Sequence, residues 1–133
     1  NIWAANSLAG VTGAPPITSI AELPAGGSAT VAVSGGGINN PMGVAVDAAG
    51  AVWISNSTGN SVSELDSNGS PRSPATGFVS GKLQQPYKIA IDPSGNVWVT
   101  NYKYNSITEL VGVAAPTRTP LVTHVTPGQG FVP

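Results

Sequence analysis

"PMGVAVDAAGAVWISNSTGNSVSEL" (residues 41–65) and "PYKIAIDPSGNVWVTNYKYNSITEL" (residues 86–110) align with each other without a gap. Pro41/Pro86, Asp47/Asp92, Gly50/Gly95, Trp53/Trp98, Asn56/Asn101, Asn60/Asn105 and Glu64-Leu65/Glu109-Leu110 are identical pairs. Val exchanges with Ile, and Ser with Thr, at many of the other positions. A third, partial copy opens the chain, where "IWAAN" (2–6) matches "VWISN" (52–56) and "SIAEL" (19–23) matches "SVSEL" (61–65). Between those two pieces the first copy is longer, with residues 7–18 standing against 57–60. A period of about 45 residues is the mark of a repeat architecture, so the repeat decides the fold.

One unit reads as β structure throughout. "GVAVD" and "KIAID" alternate, with Val44, Val46, Ile89 and Ile91 on one side. "DAAGA" and "DPSGN" are tight turns, in which an Asp carboxylate takes backbone N–H groups two residues on and Gly accepts positive φ. "VWISN" and "VWVTN" form the next strand, and "SVSEL" and "SITEL" the third. "DSNG" then turns into a weaker fourth segment, "SPATGFV". Four short antiparallel strands per repeat predict an all-β chain of β-propeller blades. No segment has the 3.6-residue period of an amphipathic helix.

Composition agrees with this. Only 8% of the 133 residues are charged, against about 25% in an ordinary soluble domain, while Gly (17) and Pro (12) are abundant. Helix surfaces need Glu, Lys and Arg, and this chain has few. The net charge of -1 argues against nucleic-acid binding driven by phosphate neutralisation, which needs a basic face. With no cysteine there is neither a disulfide framework nor a thiolate metal site. No apolar run approaches the ~18 residues that span a bilayer.

The repeat resembles the NHL type, and is similar to the related blades of virginiamycin B lyase-like proteins. The resemblance covers about residues 1–111, and "GVAAPTRTPLV" (112–122) is similar to the ends of bacterial NHL-repeat proteins. It implies propellers that are commonly six-bladed and, in many bacterial members, exported to the periplasm, cell surface or medium. The chain then divides into a partial first blade with a long loop insertion (1–34), a complete blade (35–80), a last blade (81–122) and a Pro/Gly-rich tail (123–133). About three blades, the first incomplete, lead to the expectation of a segment of a larger, six-bladed protein, or of a chain that associates with further copies. The expected partners are accordingly other blades of the same protein or other copies of the chain.

The repeated residues read as structural. Trp3, Trp53 and Trp98 recur once per unit, which suits packing with a bonded N–H better than a ligand platform. Asp47 and Asp92 each precede a Gly-containing turn, and neither has a second carboxylate close by for a metal. Asn6, Asn56 and Asn101, with Asn60 and Asn105, bracket the loop between second and third strands and are expected to hold its shape. Glu22, Glu64 and Glu109 are expected to point outward or toward a neighbouring blade. "SGGGIN" (34–39) has no following helix and reads as a connecting loop. His124 is the one histidine, in the tail, and no G-x-S-x-G elbow accompanies it. The lyases that the repeat resembles use histidines and a glutamate near a metal. Here "PMG", "PYK", "WISN" and "WVTN" stand at the comparable positions, without His and with Asn in place of Glu, so no catalytic residue carries over. Neither a metal nor another cofactor is expected.

What differs between units points to function. Lys82, Gln84, Gln85, Tyr87 and Lys88 come from the connection between units, and Tyr102, Lys103 and Tyr104 from the second-to-third loop. In a propeller these two loops share one face. All lysines and tyrosines of the chain belong to this set, whereas the preceding unit has plain "STGN" (57–60). Lys82, Gln85, Tyr87, Lys88, Tyr102, Lys103 and Tyr104 are therefore the expected contacts for a small polar ligand, glycan or peptide. The expected function is a non-catalytic binding or scaffold module. The alternatives are a metal-dependent lyase with its site on blades outside this chain, and a subunit that assembles through exposed blade edges.

Overall fold

The computed structural model describes residues 1–6, 17–27 and 30–117. It is all-β, with ten strands in three antiparallel sheets and no helix among the described residues. The first sheet joins β1 (Ile2–Ala5), β2 (Ser19–Leu23) and β3 (Val31–Ser34) in that order. The middle sheet joins β4 (Pro41–Val46), β5 (Val52–Asn56), β6 (Ser61–Leu65) and the short β7 (Phe78–Val79). The last sheet joins β8 (Pro86–Ile91), β9 (Val97–Asn101) and β10 (Ser106–Leu110). The tail with His124, and most of the insertion in the first unit, lie outside the described residues. A fourth strand in the last unit is absent as far as Thr117, and the rest of its expected span also lies outside them.

The sequence repeat becomes a repeat of register. Trp3 stands opposite Glu22, Trp53 opposite Glu64, and Trp98 opposite Glu109. Ile2/Leu23, Val52/Leu65 and Val97/Leu110 pair in the same way. Since side chains alternate along a strand, a shared register sends corresponding residues to corresponding faces. Each of β4 and β8 also has an irregularity in its pairing just after its proline, between Pro41 and Gly43 and between Pro86 and Ile89.

The turns repeat as well. Asp47, Asp66 and Asp92 each accept at 3.0 Å from the N–H of a glycine three residues on, namely Gly50, Gly69 and Gly95. One carboxylate oxygen of each also takes two further turn N–H groups at 2.8–3.0 Å. The glycines have φ of 83°, 83° and 84°, the left-handed region that a Cβ disfavours.

The sheets stack in chain order, and two apolar clusters lie between them. Ile20, Ile38, Val52, Ile54 and Leu65 are buried between the first and middle sheets, with Trp3, Val33 and Val44 packed against them. Trp53, Val62, Leu83, Val97, Val99 and Ala114 are buried between the middle and last sheets. The middle sheet is thus covered on both faces. Its strand β5 is buried at every position, whereas β9 alternates between buried and exposed residues. Phe78 of β7 adds a ring 6.2 Å from that of Trp53.

The glycine run before β4 has a packing role. Gly37, at φ 81°, lies so close to the Thr76–Gly77 backbone that a Cβ would overlap it. Gly112, at φ 64°, has open space around the same position. Gly112→Ala therefore carries only the cost of a left-handed alanine, about 1–2 kcal/mol. Gly37→Ala adds a clash between two backbones and is expected to cost at least 2 kcal/mol more, within the ~4–5 kcal/mol range of severe substitutions. Urea unfolding of the two variants checks this, and equal midpoints would contradict it.

Candidate functional site

The loop end of the last two sheets is held by bonds that recur in both units. Asn56 accepts from Asn39 N–H at 3.2 Å, and its amide donates to the hydroxyls of Ser61 and Ser63 at 3.2 and 2.8 Å. Asn101 accepts from Gln84 N–H at 3.0 Å and donates to Ser106 and Thr108 at 3.3 and 2.8 Å. Both asparagines are buried, so each bond replaces one that water would otherwise make. Ser57 N–H donates to Asn40 C=O, and Tyr102 N–H to Gln85 C=O, each at 3.0 Å. These bonds set where the second-to-third loop leaves its strand.

Four non-glycine residues at this end have left-handed backbone. They are Asn40 (φ 52°) and its counterpart Gln85 (49°), and Asn60 (47°) and its counterpart Asn105 (47°). Asparagine tolerates this region and glutamine does so less readily. Gln85 is fixed from the neighbouring sheet, because its N–H donates to the Asn60 side chain at 2.8 Å. Sequence reasoning placed Asn60 only as a holder of its own loop. In the structure it also ties the middle sheet to the connection that enters the last one.

On this frame the variable residues separate into two clefts. Tyr87, Thr100, Asn101, Tyr102, Asn105, Ser106 and Ile107 line one of about 310 Å³. The Tyr87 and Tyr102 rings meet at its edge, 6.3 Å apart and inclined by 37°. Lys88 Nζ lies 5.0 Å from the Tyr87 ring centroid, within cation–π range. The second cleft, about 320 Å³, is lined by Asn40, Ser57, Thr58, Asn60, Gln84, Gln85 and Lys103. "YKY" is therefore divided by the turn, with Tyr102 at the first cleft and Lys103 at the second. Tyr104 is 61% exposed, lines neither cleft, and has Lys103 Nζ 5.4 Å from its ring. Lys82 lines neither, and its carbonyl accepts the Thr108 hydroxyl at 2.9 Å. Of the seven expected contacts, Tyr87 and Tyr102 thus line the first cleft and Gln85 and Lys103 the second, while Lys82, Lys88 and Tyr104 line neither.

The three tryptophans occupy one register position in different surroundings. Trp53 is 1% exposed and donates its indole N–H to Asp47 at 3.3 Å. Trp98 is 39% exposed and donates to Asp92 at 3.0 Å. The chain packs the last sheet over Trp53, and no described residue covers Trp98 in the same way. Trp3 is half-buried against the cluster between the first and middle sheets. Glu22 accepts from the Asn1 amide at 2.6 Å, and Glu64 lies 3.5 Å from Arg72. Among the described residues no three His, Cys, Asp or Glu side chains are grouped to hold a metal.

Asp47 and Asp92 are more acidic than usual. The Trp98 indole N–H and the Asn96 backbone N–H bring the Asp92 carboxyl down to about 2; slight desolvation opposes them, and the Asn96 amide and Ser94 N–H assist. At Asp47 burial pushes the pKa up, but N–H groups of Ala115, Ala51, Trp53 and Ala49 outweigh it and the net shift is downward. No protein-family model matches the chain, and no curated protein is significantly similar to it.

A depressed folded-state pKa contributes stability above the unfolded value, about 3.9 for Asp. That contribution is lost as pH falls toward the folded value. The melting temperature is thus expected to drop between about pH 4 and pH 2. Asp92→Asn is expected to lower it at neutral pH and to flatten the acid drop. Thermal denaturation across this range reads both effects, and an unchanged acid slope in the variant would contradict the assignment.

Proposed function

We propose that the chain is a run of about three β-propeller blades of the NHL type, the first incomplete, from an exported bacterial protein. In this reading it is a non-catalytic binding module for a polar ligand such as a glycan or peptide. The blade reading is supported by the repeated strand pattern of the sequence, by antiparallel sheets of three or four strands in a common register, and by their face-to-face order along the chain. It rests on this chain's own repeats, and the six-blade ring belongs to the same proposal.

One observation carries the binding reading. The cleft at the last sheet is lined by two tyrosines where the preceding unit has Met42 and Ser57. Such replacements do not serve the packing that both units share. Tyrosine rings offer a flat face to C–H groups and a hydroxyl that hydrogen-bonds, a combination that suits sugars and peptide backbones. The Asn105 and Ser106 side chains stand at the same cleft as polar contacts. The second cleft adds amides, hydroxyls and the Lys103 ammonium, and extends the polar surface toward the middle sheet.

Titration of the isotope-labelled chain with neutral hexose, N-acetylhexosamine and acidic oligosaccharides, and with short peptides, tests this by NMR. Shifts are expected first at Tyr102, Asn105 and Ser106. Tyr87→Ala combined with Tyr102→Ala is expected to weaken the binding found by about tenfold, the loss of ~1.4 kcal/mol. Tyr104→Ala, outside the cleft, is expected to leave it within about twofold. A ligand held equally well without the two cleft tyrosines would remove the assignment.

A further inference from the structure

The charged side chains are sorted to opposite ends of the strands. All six carboxylate residues, Glu22, Asp47, Glu64, Asp66, Asp92 and Glu109, lie toward the end where Val46 pairs with Val52 and Ile91 with Val97. The three aspartates are in the turns there. Glu64 and Glu109 are each three residues along their strands from Ser61 and Ser106, a distance of about 10 Å. Lys82, Lys103 and, in the nearer half of β8, Lys88 lie at the loop end, and all three are exposed. The ion pair found among the described residues, Arg72 with Glu64, is at the far end. Charges in ~0.15 M salt are screened over about 8 Å. The loop end is therefore cationic in a chain whose net charge is -1.

The second cleft is where this charge meets a shaped surface. One wall carries Ser57, Thr58 and Asn60 of the middle unit, and the other carries Gln84, Gln85 and Lys103 of the last. Both walls belong to neighbouring sheets already packed on each other, so the cleft does not depend on what covers the outer faces. The Asn60 side-chain oxygen takes the Gln85 N–H at 2.8 Å, which leaves the Asn60 NH2, a donor, for a ligand. The Lys103 ammonium also donates and cannot accept. No carboxylate lines the cleft. Its anchored amide and its one charge thus both favour an accepting oxygen, and a charged one over a neutral one. Thr58 is the counterpart of Lys103 in the middle unit, so the repeat itself does not require a cation here.

We propose that this cleft is an anion subsite, which holds the carboxylate of a hexuronate in an acidic oligosaccharide. The inference rests on the reading of the loop end as a binding face. An acidic peptide fits less well, because the backbone N–H groups of Ser57, Gln84, Gln85 and Tyr102 are all bonded within the protein and offer no strand edge. What remains are hydroxyls and amides, which donate and accept as sugar hydroxyls do. A volume of about 320 Å³ is near the lower end for ligand sites and suits a short saccharide segment.

NMR titration of the isotope-labelled, full 133-residue chain tests this with short oligomers of galacturonate, mannuronate and guluronate, each beside its neutral methyl ester. At least one acid is expected to shift the amide signals of Asn60, Gln85 and Lys103. It is expected to bind about fivefold more tightly than its own ester, the worth of one exposed ion pair. That ratio is expected to shrink as salt rises, because screening acts on the charge alone. Lys103→Thr is expected to bring acid and ester to equal affinity. Lys88→Gln removes a charge from the same end but outside the cleft, and is expected to leave the ratio within about twofold. Equal binding of every acid and its ester would overturn the anion subsite, and so would a ratio that survives Lys103→Thr. Tighter binding of oligoglutamate at the same three residues would overturn the sugar. Esters that still shift Tyr102, Asn105 and Ser106 would in those cases leave the broader binding reading in place. Silence in both clefts from every oligomer and from oligoglutamate, at up to ~10 mM, would remove both.

Discussion

The burial of Trp53 between two sheets is the contact on which the rest of the structure depends. A sheet of three or four short strands is marginal alone and needs a second layer against its apolar face. Here the middle sheet is the only one covered on both sides among the described residues. Trp53, Val62 and Phe78 face the last sheet, while Val52, Ile54 and Leu65 face the first. This double coverage explains why β5 is buried throughout although its sequence hardly differs from that of β9. The hydrophobic pattern of a strand in this chain depends on how many neighbours its sheet has, and not on the strand alone.

Polar groups make the stack specific. Ser55 donates its hydroxyl to the Tyr87 carbonyl across the sheet interface at 2.8 Å. Asp47 binds its own turn, the Trp53 indole and Ala115 N–H, so that one carboxylate joins the middle sheet to the segment after β10. Asn60 reaches the Gln85 N–H from the other end. Apolar faces supply stability that has no preferred direction. These directed bonds hold one sliding position among those the faces would allow.

Much of this was legible in the sequence because repetition is itself a measurement. A Trp in the same place three times had to serve the shared packing, and an Asp followed by Gly three residues on had to be a turn. The strands and their order followed from that comparison. Comparison of units cannot show what differs in their surroundings. Trp98 and Trp53 read alike, yet only Trp53 has a sheet packed over it. Gln85 read as a ligand contact, and its left-handed backbone and the bond its N–H donates to Asn60 became visible only in the structure. The loop residues were found, but the division of "YKY" between two clefts depends on turn geometry that no spacing encodes. Lys82 and Tyr104 were grouped with the others because their loops share one face of a propeller and differ between units, a placement that does not say which side chains line a cleft.

The central claim is that one residue type at one register position has a value set by the sheet stacked over it. Equilibrium unfolding of Trp53→Ala and Trp98→Ala tests this directly. Truncating the enclosed Trp53 is expected to cost about 3–5 kcal/mol, the range for a large buried aromatic. Truncating Trp98, with one side open to solvent, is expected to cost less than about half of that. Equal losses at the two positions would contradict the account, because stacking would then not be what distinguishes them.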